Sequence, residues 1–211
     1  MKTVIFDLDG TLVDTHTNIT ASINHVRKTI YGLEPMDAAE VARLMNLPGL
    51  NLAYEFYGVK RYEEEAKELF ESHYTIQCLQ NAVTFEGIVE MLELLLSHEC
   101  ELFVATNAPS STSRLILKKN GIDRCFRDIV GADRVKYPKP HPEMIRMISE
   151  ISKFEEVWMV GDSPKDMVAA EQAEVTPLFV EWGYSKRLSE GLLHIRTVSE
   201  PSKIVDTLFA F

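Results

Sequence analysis

Short, continuous apolar runs punctuate this chain: Thr3 to Phe6, Leu102 to Ala105, Ile129 to Val130, Val157 to Val160 and Leu178 to Val180. A strand with one wet face alternates apolar and polar positions, whereas a strand covered on both faces does not. These runs therefore predict the buried strands of a parallel sheet. Helical spacing fills the intervals between the later ones. Ile88, Met91, Leu92 and Leu95 form one apolar stripe, and Leu115 and Ile116 begin another that ends at Lys118-Lys119-Asn120-Gly121, basic residues followed by a glycine stop. A third opens at Pro142 and continues through Ile145 and Ile148. Strand and helix in alternation predict a doubly wound α/β fold with right-handed crossovers.

From about Thr15 to Ala82 the rhythm changes. No strand pattern is visible there, and the spacing predicts helices throughout. Ile19, Ile23, Val26 and Ile30 share one face, and Tyr62, Ala66, Leu69, Phe70 and Tyr74 share another. Glu63, Glu64, Glu65, Lys67, Glu68 and Glu71 lie on the wet side of the latter. Leu47-Pro48-Gly49 reads as a turn between helices. The expected organisation is an α/β core from residues 1–14 and 83–211, with a helical unit of residues 15–82 inserted after the first strand.

Composition narrows the function classes. Twenty-two basic against thirty-two acidic residues give a formal charge of −10, which argues against a nucleic-acid or anionic-membrane surface. No apolar stretch approaches the ~20 residues of a membrane span. The N-terminus carries Asp7 where a signal peptide needs its apolar segment, so a cytoplasmic location is the default expectation. Cys78, Cys100 and Cys125 are odd in number and widely spaced, and the six histidines show no ligand spacing, so neither a disulfide frame nor a zinc site is expected.

Four clusters follow predicted strands directly. Asp7-Leu8-Asp9-Gly10-Thr11 brings two carboxylates, spaced by two, to the mouth of the sheet. Thr106-Asn107 offers a hydroxyl and backbone donors beside a helix N-terminus, a setting suited to phosphate. Tyr137-Pro138-Lys139-Pro140-His141-Pro142 reads in isolation as an extended surface link with a solvent-facing lysine, or else as a rigid support aiming an ammonium at the site. In Gly161-Asp162-Ser163-Pro164-Lys165-Asp166, a capping box accounts for Asp166 but leaves Asp162 without a reason. Convergence of Asp7, Asp9, Asp162 and Asp166 would be expensive. Each like-charge pair near 4 Å costs about 4 kcal/mol at an effective dielectric of 20. A divalent cation together with Lys139, or partial protonation, relieves that repulsion. All four clusters sit where open α/β sheets place their ligand crevice.

In this order and spacing, Asp7-x-Asp9-Gly10-Thr11, Thr106-Asn107, Lys139-Pro140 and Gly161-Asp162-x-x-x-Asp166 resemble the four motifs of the haloacid dehalogenase superfamily of phosphohydrolases. The resemblance covers the whole chain, and the helical insert resembles the cap of the phosphoglycolate phosphatase and β-phosphoglucomutase-like branch. It implies a Rossmann-like core, an aspartyl-phosphate formed on Asp7, proton transfer by Asp9, and Mg²⁺ held by Asp7, the Asp9 carbonyl, Asp162 and Asp166. Thr106, Asn107 and Lys139 would hold the phosphoryl oxygens, and the cap would close about hinges near Thr15 and Ala82. Asp9 separates the chain from the dehalogenases, whose leaving halide needs no proton, and Lys28 and Lys60 occupy no setting like that of a phosphonate-hydrolase cap lysine. The expected substrate is a small phosphorylated metabolite, phosphoglycolate-like or sugar-phosphate-like. A phosphomutase on the same scaffold is the alternative, and a phospho-acceptor signalling module a distant one. The loop Arg43-Leu44-Met45-Asn46-Leu47-Pro48 is the candidate selector, with Arg43 or Asn46 reaching the substrate's tail.

Overall fold

The computed structural model describes residues 1–47, 49–185 and 188–209. Six parallel strands form the main sheet: β1 (Thr3–Phe6), β4 (Glu101–Ala105), β5 (Asp128–Val130), β6 (Val157–Gly161), β7 (Thr176–Val180) and β8 (Arg196–Val198). Their order across the sheet is β5-β4-β1-β6-β7-β8. The five apolar runs are all strands, and β1 is fully buried along its length. Burial alternates in destination rather than in degree. Val4, Phe6, Leu102 and Val104 face one core cluster, while Ile5, Phe103 and Ala105 face the other. Helices cover both layers, which is why no wet face interrupts the sequence pattern.

On the first face lie α5 (Ile88–Ser97), α6 (Ser110–Lys119) and α9 (Ser202–Phe209), through Met91, Leu95, Ile116 and Ile204. On the second lie α7 (Glu143–Ile151) and α8 (Pro164–Gln172), through Met144, Ile148 and Ala169. Two details of the helix pattern differ from expectation. Leu115 is 45% exposed, and the buried pair on α6 is Ile116 and Leu117. Tyr62 precedes its helix and is exposed, so the buried stripe there runs Ala66, Tyr74, Cys78.

Between β1 and β4 the chain forms a two-stranded antiparallel ribbon, β2 (Val13–Asp14) with β3 (Val83–Thr84). The described residues between these two strands are helix or connecting segment: α1 (His16–Thr29), α2 (Ala38–Asn46), α3 (Leu52–Tyr57) and α4 (Glu64–Asn81). The acidic run on α4 is solvent-exposed, while α1 and α4 pack through Ile19, Ile23, Val26 and Tyr74. The predicted Leu47-Pro48-Gly49 turn includes Pro48, which lies outside the described residues. No helix among the described residues is long and apolar enough to cross a membrane.

Strand order places the site. β1 has β4 on one side and β6 on the other, so the chain winds away from β1 in both directions. The loops leaving these three strands diverge from a common point and leave a crevice above their carboxyl ends. Phe103, fully buried on the middle of β4, anchors the second layer beneath that crevice. Phe103→Ala should lower unfolding free energy by about 3–5 kcal/mol through transfer and cavity terms, read as a shift of the urea midpoint at constant slope.

Candidate active site

The four clusters meet at the switch point. Asp7 follows β1 directly, its backbone N–H bonded to the Val160 carbonyl of β6. Asp162 and Asp166 come from the turn after β6 and the first turn of α8. One oxygen from each of Asp7, Asp162 and Asp166 lies within 4.8 Å of the others, and all three residues are buried.

Glycine backbones make this close approach feasible. Gly10 has φ +84°, and a Cβ there would stand 2.4 Å from an Asp162 oxygen. A Cβ on Gly183 would stand 2.2 Å from the Asp162 Cβ, and one on Gly161 would stand 2.5 Å from an Asp166 oxygen. Both Asp162 oxygens accept hydrogen bonds, from the Thr11 hydroxyl at 3.3 Å and from the Tyr184 backbone N–H at 2.7 Å.

Lys139 is the cation at the centre. The segment expected to be extended is instead turned, with the His141 N–H bonded to the Pro138 carbonyl and a cis Lys139–Pro140 bond. This turn points the side chain inward, and Lys139 is only 4% exposed. Its ammonium donates to Asp7 Oδ1 at 2.8 Å, Asp166 Oδ1 at 2.6 Å and the Ala105 carbonyl at 2.6 Å, so all three protons are used. The surface-link reading of this lysine is overturned. Asp166 serves two purposes at once, because its other oxygen accepts from the Ser163 N–H and completes the capping box of α8.

Asn107 and Thr106 line the cavity but also shape it. The Asn107 amide donates to the Lys139 carbonyl at 2.9 Å and accepts from the Lys139 N–H at 3.0 Å. It therefore clamps one loop to the other. The Thr106 hydroxyl accepts from the Ala108 N–H.

Asp9 stands apart from the carboxylate triplet. Its Oδ1 accepts from the Thr15 hydroxyl at 2.5 Å and from the Tyr74 hydroxyl at 2.5 Å. Burial, with the Asp7 charge as the second cause, pushes its pKa up to about 6. Burial, followed by Asp7, also raises Asp166 to about 6, and burial with Asp7 and Asp166 lifts Asp162 well above the carboxylate range. Burial alone would lower the Lys139 value, but Asp166 and Asp7 outweigh it and the ammonium is strongly retained. The site thus carries more negative charge than one lysine neutralises. An all-carboxylate donor set with this deficit fits a hard divalent cation.

The cavity above these groups measures about 90 Å³. Its roof comes from the end of α2: Met45 and Asn46 line it. Arg43 does not. Val41 and Leu44 form the buried stripe of α2, and Arg43 turns outward to grip Glu40 through two hydrogen bonds of 2.7 Å. The candidate selector loop therefore reaches the cavity through Met45 and Asn46 and not through Arg43.

Four lining or supporting residues carry no site role in the sequence analysis: Thr15, Tyr74, Lys165 and Tyr184. Tyr74 reads as one member of an apolar stripe. Lys165 lies within a recognised cluster and Tyr184 follows β7 at the same end of the sheet, so both carry a usable signal.

The family described as haloacid dehalogenase-like hydrolase matches residues 4–180. A phosphoglycolate phosphatase of Rhodospirillum rubrum is 33% identical over 199 residues, covering 88% of this chain and 81% of that protein. A predicted phosphoglycolate phosphatase of Haemophilus somnus shares the fold with a TM-score of 0.82 at 23% identity, over 99% of this chain and 98% of its own. A Thermotoga maritima structure provisionally assigned as a β-phosphoglucomutase gives a TM-score of 0.71 at 26% identity, over 99% and 98%.

Lys139→Met leaves Asp7 and Asp166 without their shared cation. Removing one partner of a buried pair costs about 3–5 kcal/mol, so the chelator-treated variant should show a much lower urea midpoint than the wild type at pH 8. Asp166 has a raised folded-state pKa, so protonation relieves its charge as pH falls through that value. The loss should narrow steadily toward pH 5.

Proposed function

Because the chain belongs to the haloacid dehalogenase-like hydrolases, we propose that it is a Mg²⁺-dependent phosphatase acting on a small phosphate monoester of the phosphoglycolate or sugar-phosphate kind. The observation that carries this reading is the convergence of Asp7, Asp162 and Asp166 oxygens around one point, with Lys139 bonded to two of the three.

Asp7 is the nucleophile. Held by the Lys139 ammonium, its carboxylate attacks phosphorus, and a P–O bond to Asp7 forms as the bond to the leaving oxygen breaks. Asp9 gives its proton to that leaving oxygen and later takes one from the water that hydrolyses the aspartyl-phosphate. A pKa near 6 lets one carboxyl serve in both directions around neutral pH. Thr106 and the Asn107 backbone face the phosphoryl oxygens, and Lys139 adds positive charge nearby. Asp7, Asp162, Asp166 and the Asp9 carbonyl would hold Mg²⁺, which would supply neutralisation of the phosphoryl charge.

The inserted helices act as a cap over this site, turning about the ribbon at residues 13–14 and 83–84, and exclude water from it. Asn46 is the polar group that the cap offers to the substrate's tail. The cavity's ~90 Å³ favours a short tail, since pockets for drug-sized ligands begin near 300 Å³. The likeness to the Thermotoga maritima structure keeps a second reading in view, a phosphomutase on the same scaffold.

A phosphate-release screen over phosphorylated metabolites distinguishes the two. The phosphatase reading expects turnover of phosphoglycolate or a small sugar phosphate with Mg²⁺, its abolition by EDTA, and a loss of at least 10³-fold in Asp7→Asn. Full turnover by Asp7→Asn would falsify the reading. Isomerisation of a hexose phosphate primed by a sugar bisphosphate, without net phosphate release, selects the mutase instead.

A further inference from the structure

Tyr74 lies on α4, one turn from Phe70 and one from Cys78, and only 3% of it is exposed. Its ring stacks on Phe70, with centroids 5.7 Å apart and planes within 5°. An apolar stripe needs only a phenylalanine here. The hydroxyl nevertheless passes beyond the helical unit and donates to Asp9 Oδ1 in the α/β core.

A second hydroxyl meets the same oxygen. Thr15 Oγ1 donates to Asp9 Oδ1 at 2.5 Å, and Tyr184 OH lies 2.8 Å from Thr15 Oγ1 while accepting from the Thr15 N–H at 2.6 Å. Thr15 has a single hydroxyl proton. With that proton on Asp9, the 2.8 Å contact is completed by Tyr184 as donor, giving a chain that runs Tyr184 to Thr15 to Asp9. Oδ1 therefore receives two donors. A carboxylic proton placed on that oxygen would collide with both, so a neutral Asp9 carries it on Oδ2.

We infer that Tyr74 is a positioning residue that, with Thr15, reserves Asp9 Oδ2 for proton transfer and ties that transfer to docking of the helical unit. This rests on the phosphatase reading above. During attack the bond from phosphorus to Asp7 forms, the bond to the leaving oxygen breaks, and the Oδ2 proton passes to that oxygen. In the second half the ionised Oδ2 takes a proton from water. Tyr74 keeps its own proton throughout. Docking enters because Tyr74 travels with α4, whose Thr75 hydroxyl meets the Thr112 hydroxyl of α6 at 3.1 Å. If the helices lift, Oδ1 loses one of its two donors and the carboxyl is free to turn.

Leaving-group dependence tests this directly. An alkoxide needs the proton to depart, whereas p-nitrophenolate leaves with little help. In Tyr74→Phe, kcat/KM for ethyl phosphate should fall at least tenfold further than for p-nitrophenyl phosphate, with Asp9→Asn showing the same trend to a greater degree. Thr112→Ala loosens docking without touching either partner and should move the same ratio in the same direction. Equal losses on both substrates, or an unmoved ratio, overturn the inference. Should Tyr74→Phe fail to fold, as its thermal unfolding would reveal, the Thr112→Ala ratio decides alone. A wild type that releases phosphate from neither ester would instead sink the phosphatase reading itself, so the two failures are distinguishable.

Discussion

One ammonium holds the site together. Lys139 spends its three protons on Asp7, Asp166 and the Ala105 carbonyl, and thereby joins the ends of β1 and β4 to the start of α8. Without it, the buried acids would repel one another across distances at which each pair costs several kcal/mol even in a moderately polar interior. The rest of the site is arranged around that constraint. Asn107 holds the lysine's own backbone with two hydrogen bonds, and three glycine positions let the main chain press against Asp162 and Asp166. One lysine still leaves the balance negative. Asp9, Asp162 and Asp166 all have raised pKa values for the same first reason, burial, and Asp7 contributes to each.

The architecture explains how such a cluster is tolerated at all. A parallel sheet buried on both faces supplies two apolar layers, so the strands need no help from the loops at their carboxyl ends. Those loops are free to carry charge. Because β1 sits between β4 and β6, the chain segments bearing Asp7, Thr106 and Asp162 emerge side by side despite lying far apart in sequence. A cluster of this kind built on a single helix or hairpin would have to be offset by its own local packing. Here the layers beneath offset it collectively.

What could be read from sequence follows the same physics. Five strands, the β5 edge among them, were legible because double-sided burial leaves an unbroken apolar run. The sixth, Arg196–Val198 at the other edge, has only Val198 buried, so it carries no such run. The ribbon of β2 and β3 has two residues per strand, too few for any period to register. Among the charged groups, Asp7, Asp9, Asp162 and Asp166 were legible because their types and spacings have few other uses at strand ends. Lys139 was ambiguous, since three prolines in six residues suggest an extended link, whereas the chain turns there and drives the ammonium inward. Arg43 looked like a ligand group until Val41 and Leu44 fixed which face of α2 is buried and left it to Glu40.

Tyr74 shows why the remainder was invisible. An aromatic residue at a buried helical position has a sufficient explanation in packing, so nothing in the sequence distinguishes a ring that merely fills space from one whose hydroxyl crosses to another unit. The difference lies in a contact between residues 65 positions apart. It also separates two tasks that the sequence motif presents as one. Asp7 and Asp9 are two residues apart, yet Asp7 is held by a lysine of the α/β core and Asp9 by hydroxyls from α4 and from the threonine that precedes α1. Asp7, the proposed nucleophile, is fixed by a charge that does not belong to the inserted helices. Asp9, the proposed acid, takes one of its two donors, Tyr74, from those helices. Under the proposed mechanism, this division would keep Asp7 held by Lys139 whether or not the helices are docked, and would give Asp9 its second donor only when they are.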